Sequence, residues 1–251
     1  MMPGRMIDVH CHILPDLDDG PSDFSESLEM ARIASKDGIC KIIATPHVND
    51  GKYSPQNIRK RVDEFNRLLK ENRIPLLIYP GAETSMSMDP TMFPKYTLNN
   101  TNYILLEFPH DHLPSYAGRI LSWLCSKGLK PVIAHPERNY SVIRAPEVLL
   151  KLLNNNIYVQ ITAGSLTGDF GVDIKYCADF LLDSGKVDLM ASDAHSREFR
   201  TPVLARAVKI AAKRIGNRAA QGLVSTNPAA LLAGEEIHSN KDNKSFNEAP
   251  C

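Results

Sequence analysis

The stretch MIDVHCHILPDLDDG, residues 6–20, runs apolar into two histidines one residue apart, then reaches paired aspartates and a glycine. A short run rich in Ile and Val predicts a buried strand, here with ionisable side chains gathered at its C-terminal end. The same grammar recurs along the chain. Strands are expected at about 6–12 (MIDVHCH), 41–47 (KIIATPH), 76–82 (LLIYPGA), 103–108 (YILLEF), 130–135 (KPVIAH), 157–162 (IYVQIT) and 187–193 (VDLMASD). Helical periodicity fills most of the intervals. Residues 23–36 put Phe24, Leu28, Ala31 and Ala34 on one face ahead of Gly38, and residues 55–72 do the same with Ile58, Val62, Phe65 and Leu69. Further helices are expected at 115–127, 146–154, 172–184 and 201–215, with loop or short helix over 84–102, where Pro90 and Pro94 interrupt the pattern. Strands alternating with helices predict a parallel α/β fold; periodicity leaves an open sheet and a barrel as alternatives.

Composition sets the outer bounds. The chain has 251 residues, and 43% are hydrophobic, enough for a sizeable core. No composition shift marks an internal boundary, so one domain is expected over 6–233, followed by a polar, aperiodic and mobile tail over 234–251. Lys+Arg and Asp+Glu both total 29, which argues against a nucleic-acid protein held by bulk charge. The N-terminal residues lack a long apolar segment, and no run approaches the length of a membrane span. The five cysteines are odd in number and scattered, a pattern expected of reduced thiols in a cytoplasmic protein. None of Cys11, Cys40, Cys125, Cys177 and Cys251 forms a C-x-x-C pair.

The polar residues at the strand ends carry the chemistry. They are His10 and His12 with Asp18 and Asp19, His47, Glu83, Glu107, His135, and Asp193 with His195. Six of the seven expected strands contribute, and in a barrel those ends share the face where active sites lie. Side chains alternate along a strand, so His10 and His12 are expected on one side, as are Asp193 and His195, with Cys11 packed on the other. Imidazole suits borderline transition metals and carboxylate suits harder ions such as Mn²⁺. A lone histidine at a strand end is more often a hydrogen-bonded structural residue than a ligand. The repetition on six strands favours a metal centre with room for two or three ions. Spacing does not choose between Asp18 and Asp19. Arg138 and Arg200 each follow a candidate ligand histidine within five residues, and guanidinium forks match phosphate oxygens. His110 and His112 read as loop residues near Glu107, and His238 as a tail residue.

Taken together, DVHCH…DDG, ATPH, PGAE, LLEFPHDH, VIAHPERN and SDAHSREFR resemble the polymerase and histidinol phosphatase (PHP) superfamily. Within it they resemble the manganese-dependent protein-tyrosine phosphatases of capsular and exopolysaccharide gene clusters in Gram-positive bacteria. The resemblance covers residues from about Met6 to Leu232. It implies a distorted seven-stranded (β/α) barrel and a trinuclear site. By motif, His10, His12, Glu83 and Asp193 would hold one ion, and Glu83, Glu107 and His135 a second. Asp19, His47 and His195 would hold the third, which prefers Asp19 over Asp18. Arg138 and Arg200 match the phosphate-contacting arginines. The implied substrate is phosphotyrosine on the tail of a membrane-associated bacterial tyrosine kinase that regulates polysaccharide synthesis.

The reaction so implied is metal-assisted hydrolysis, in which a water activated to hydroxide attacks phosphorus in line. Tyrosine leaves as a phenolate of pKa about 10, so no strong general acid is assigned. The competing expectations are a PHP phosphoesterase acting on a small molecule of the histidinol-phosphate type, and a metal-binding regulatory module without turnover.

Overall fold

The computed structural model describes residues 6–48 and 53–237. Among the described residues eight strands run in chain order: β1 (Met6–Cys11), β2 (Ile39–Ala44), β3 (Leu77–Pro80), β4 (Glu83–Ser85), β5 (Tyr103–Glu107), β6 (Lys130–Ala134), β7 (Tyr158–Thr162) and β8 (Leu189–Ala191). Every pairing is parallel. The strands form one sheet of order β1-β2-β3 and a second of order β4-β5-β6-β7-β8.

The two sheets meet at two seams through isolated parallel bridges, Cys11 with Ala194 and His47 with Glu83. Backbone bonds stitch both seams. Asp193 N donates to His10 O (2.8 Å) and His12 N to Ala194 O (2.8 Å) at one. Glu83 N donates to Pro46 O (3.1 Å) and Val48 N to Glu83 O (3.1 Å) at the other.

The expected strand over 76–82 is therefore corrected to β3 alone, with β4 resuming at Glu83 to pair with a different sheet. Gly81 lies between them. A Cβ there would sit 2.6 Å from Ile43 Cγ2 and 2.9 Å from Leu98 Cδ2, so the backbone approaches β2 more closely than a side chain permits.

Helices are α1 (Phe24–Asp37), α2 (Pro55–Glu71), α3 (Ala117–Ser126), α4 (Tyr140–Arg144), α5 (Glu147–Leu150), α6 (Ala163–Thr167), α7 (Val172–Asp183), α8 (Ala205–Ile215), α9 (Asn217–Gly222) and α10 (Thr226–Ala233). Local chemistry sets their limits. The Asp23 carboxylate accepts Glu26 N at the start of α1, and Gly38 closes it in the left-handed region at φ 98°. Ser54 and Asn57 form a reciprocal cap on α2 ahead of Pro55.

The helix expected over 146–154 is corrected to α5 alone, which ends at Leu150, and α4 precedes it at 140–144, where no helix was expected. Pro146 forbids helical backbone at Ala145, which lies at φ −151°, ψ 81°. The helix expected from 201 begins only at Ala205, where a distant side chain supplies the cap: Asp37 Oδ2 accepts from Leu204 N (2.6 Å) and Ala205 N (2.9 Å). The 84–102 connection holds β4 and two short 3₁₀ turns, Pro90–Lys95 and Leu98–Asn100.

Apolar strands are buried on both faces, which is why they read as continuous hydrophobic runs. In β5, Ile104 and Leu106 pack in the larger cluster with helix residues such as Phe65, Leu121 and Leu181, whereas Tyr103 and Leu105 pack in a smaller one with Ile7, Val9, Val132, Tyr158 and Leu189. Leu231 of α10 and Ile237 join the smaller cluster. The chain beyond α10 thus begins packed: Tyr103 Oη donates to Glu235 O (2.7 Å) and Lys130 Nζ lies 2.6 Å from a Glu236 carboxylate oxygen. Residues 235–237 of the expected mobile tail are thus packed against the strands. Residues 238–251, His238 and Cys251 among them, lie outside the described residues, as do 1–5 and 49–52.

Candidate metal centre

The nine donors that the resemblance assigns to metal converge. His10 Nε2 stands 3.2 Å from each of Glu83 Oε2, Asp193 Oδ1 and His12 Nε2. His12 Nε2 is 3.3 Å and His47 Nδ1 3.2 Å from that same Glu83 Oε2. His135 Nε2 lies 2.9 Å from Glu83 Oε1 and 3.7 Å from Glu107 Oε1. His195 Nε2 is 3.2 Å and His47 Nε2 3.7 Å from Asp19 Oδ1.

Three sets bring their ligand atoms within 4.8 Å of one another: His12, Asp19, His47 and His195; His10, Glu83, His135 and Asp193; and His47, Glu83 and Glu107. This grouping differs from the one implied by resemblance. His12 sides with Asp19, and His135 with His10. Glu83 belongs to two sets in both.

The local backbone explains how these side chains arrive. The pairing of β1 with β2 shifts register between Asp8 and Cys11, three steps on β1 against two on β2. Before the shift Ile7 and Val9 pack in the smaller cluster; after it Cys11 and Ile13 pack in the larger. A bulge of this kind re-aims side chains, and here it turns His10 and His12 into the cluster of donors. For Asp193 and His195, simple alternation is corrected: β8 ends at Ala191, and Asp193 takes φ 52°. His135 (φ 30°) and Arg200 (φ 52°) share that left-handed backbone, so three candidate site residues are held in sparsely populated conformations.

Asp18 and Asp19 separate cleanly. Asp18 Oδ2 is 2.6 Å from His12 Nδ1 and accepts from His47 N (2.9 Å), and Oδ1 accepts from Gly20 N (3.0 Å). Burial pushes its carboxyl up, but His12 outweighs this and holds it down at about 2. Asp18 therefore orients a ligand candidate, while Asp19, 63% exposed, faces the donors itself.

Several supporting residues were not read from the sequence. Gln160 Oε1 lies 2.8 Å from His10 Nδ1, which leaves Nε2 for the donors. Asp8 accepts from His10 N (3.3 Å) and from Ser192 N (3.0 Å). Buried Glu137 accepts from Thr162 N (2.8 Å) and Ser165 Oγ (2.7 Å), anchoring the turn that carries Arg138. A polar residue inside an apolar strand, as in IYVQIT or MIDVH, was the available signal. His110 Nε2 comes within 3.5 Å of Glu107 Oε1, whereas His112 is exposed beside Asp111.

The electrostatics are those of a set of lone pairs short of positive charge. Burial and the neighbouring Glu83 charge raise the Glu107 carboxyl to about 8. Burial would also raise Glu83, but His10, His12 and His135 outweigh it and hold it well below the usual range. Burial lowers His135 and His47, and with His12 it takes His195 down to about 3, so these three imidazoles are neutral. Glu83 Oε2 and His47 Nδ1 are buried without a hydrogen-bond partner among the described residues. Nitrogen and carboxylate donors arranged this way, with no thiolate among them, fit divalent first-row cations.

Arg138 and Arg200 both reach Asp193 Oδ2, the second at 2.5 Å, on the side of that carboxylate away from His10. Arg200 Nε is buried and lacks a partner among the described residues. The arrangement places two guanidinium groups at the edge of a cation-seeking cluster, an environment suited to an anion.

The comparisons with known proteins agree with this chemistry. The tyrosine-protein phosphatase YwqE of Bacillus subtilis (strain 168) is 40% identical over 238 residues, covering 92% of this chain and 93% of its own. The tyrosine-protein phosphatase CpsB of Streptococcus agalactiae serotype III is 31% identical over 243 residues, covering 92% and 100%. A crystal structure from work on YwqE and Streptococcus pneumoniae CpsB, described as unique metal-dependent tyrosine phosphatases, superposes with a TM-score of 0.88 at 39% identity, covering 93% of this chain and 97% of that one. Residues 6–233 match the family described as "Capsular polysaccharide synthesis, CpsB/CapC", and the chain belongs to that family.

Proposed function

We propose that the chain is a metal-dependent protein-tyrosine phosphatase whose substrate is phosphotyrosine on a membrane-associated bacterial tyrosine kinase of the capsular or exopolysaccharide pathway. The carrying observation is the meeting of Arg138 and Arg200 on Asp193 at the margin of the donor cluster. In this reading the two sheets with their seams make up a distorted (β/α)₇ barrel of PHP type, β3 and β4 counting as one broken strand. His10, His12, Asp19, His47, Glu83, Glu107, His135, Asp193 and His195 hold two or three Mn²⁺ ions. When bound, the cations supply a water nucleophile of lowered pKa and positive charge for the phosphoryl oxygens.

The chain's own residues do the rest. Glu83 spans two ligand sets and fixes their separation. Gln160 and Asp18 hold the His10 and His12 rings in the tautomers that present Nε2. Arg138 and Arg200 orient the phosphate and stabilise the charge on its equatorial oxygens. A thiol mechanism finds no support: burial pushes the Cys11 thiol well up and, with Glu137, the Cys177 thiol to about 12. Among the described residues no helix is long and apolar enough to cross a membrane, and the enzyme would act from the cytoplasm.

The test is steady-state kinetics of Arg138→Ala, Arg138→Lys, Arg200→Ala and Arg200→Lys on a phosphotyrosine peptide and on histidinol phosphate, with metal content measured in parallel. Losing an oxyanion donor costs ~3 kcal/mol, a hundredfold or more in rate. Lysine should recover little, because a point charge does not replace a fork. Wild-type turnover in both alanine variants removes the arginines from the reaction. Metal lost together with activity makes them supports of Asp193 instead. Preference for histidinol phosphate would return the chain to the small-molecule class.

A further inference from the structure

A cavity of about 360 Å³ opens beside the donor cluster, between α6 with its following loop and the 198–207 segment. Its lining includes Ala163, Phe170, Phe199, Arg200, Val203 and Ala207. Nothing in the proposed reaction uses it.

Its two aromatic walls are tied to the two arginines. Phe170 lies under the Arg138 guanidinium at 5.1 Å. It fits there because residue 164 is glycine: a Cβ would stand 2.8 Å from the Phe170 ring. Phe199 is 80% exposed, yet its backbone is pinned. Ser196 Oγ accepts from Phe199 N (2.9 Å) and donates to Phe199 O, while His195 N donates to Arg200 O (2.9 Å). An exposed apolar ring carried on a pinned backbone is available for contact with another molecule.

The position identifies that molecule. Arg200 lines the cavity and also reaches Asp193 Oδ2. The cavity therefore adjoins the proposed phosphate site, and a peptide with its phosphate at Arg200 would set a flanking side chain beside it. Its mouth is polar, with Asp169 and Arg206 3.7 Å apart, as suits a peptide backbone entering from solvent.

We propose that this cavity is a subsite for an apolar side chain flanking the phosphotyrosine of a peptide substrate, with Phe199 and Phe170 as its specificity-determining walls. The assignment rests on the phosphatase reading.

The test compares kcat/KM for phosphotyrosine peptides carrying Leu or Phe on either side of the phosphorylated residue, for the same peptides with Gly there, and for p-nitrophenyl phosphate. Wild type, Phe199→Ala and the cavity-filling Val203→Phe are measured, with thermal melts as a check on folding. Wild type should favour apolar over Gly flanks by about tenfold. Both variants should lose that preference through KM, with the ratio of peptide to p-nitrophenyl phosphate turnover falling correspondingly. Equal use of both peptides by wild type, or a preference surviving in well-folded Phe199→Ala and Val203→Phe, overturns the subsite while leaving the phosphatase reading standing. A wild-type enzyme inactive on p-nitrophenyl phosphate and on every peptide overturns both.

Discussion

At the residue scale, the donors were legible because their chemistry is written in their side chains, and their supports were not. Nothing in the string IYVQIT says that Gln160 meets His10 across 150 positions. The partner of a ligand histidine fixes its tautomer, and losing one typically costs 10–100-fold in metal affinity. Gln160→Leu should therefore weaken Mn²⁺ binding by about that factor, while Gln160→Glu, which keeps an acceptor, should recover most of it. Titration against a competing chelator reads this directly, and unchanged affinity in Gln160→Leu would sink the role. Glu83 and His135 offer a second contrast. Glu83 serves two ligand sets and His135 one, so Glu83→Ala should lose more metal per chain than His135→Ala. Equal loss by elemental analysis would count against Glu83 as the shared ligand.

At the element scale, the site depends on two irregularities that periodicity does not announce. One is the register shift in β1, which transfers His10 and His12 to the donor side. The other is the break between β3 and β4 at Gly81, which hands Glu83 to the second sheet while leaving its backbone bridged to His47. Overpacking a tight site typically costs ~1–3 kcal/mol. For a domain of this size each kcal/mol lowers Tm by about 2–4 °C. Gly81→Ala should thus melt roughly 2–12 °C below wild type, because its Cβ meets Ile43 and Leu98. It should also bind metal more weakly, since Glu83 follows two residues later. A thermal melt and a metal assay on that variant check both, and a wild-type melting temperature would show that the strand break tolerates a side chain.

At the scale of the whole molecule, the candidate ligands come from segments scattered between positions 10 and 195, and they meet at the seams between the two sheets. Cations bound there would tie the seams together and stabilise the folded state by mass action, ~2.7 kcal/mol per site at a hundredfold excess over Kd. Removing them with EDTA should lower Tm by about 5–10 °C per strongly held ion, restored by Mn²⁺. A melting temperature indifferent to chelator would mean that the centre adds nothing to the fold. The sequence by itself determined the parallel α/β class, the positions of most strands and long helices, and the identity of the converging donors. Those features rest on local periodicity and on side-chain chemistry, which a chain carries at every position. Only the tertiary structure decided that β3 and β4 part company, which donors stand together, that Asp18 orients while Asp19 faces the cluster, and that Arg138 and Arg200 share Asp193. Each of these depends on contacts between residues distant in sequence, and the free energy of such contacts exists only once the backbone has brought them together.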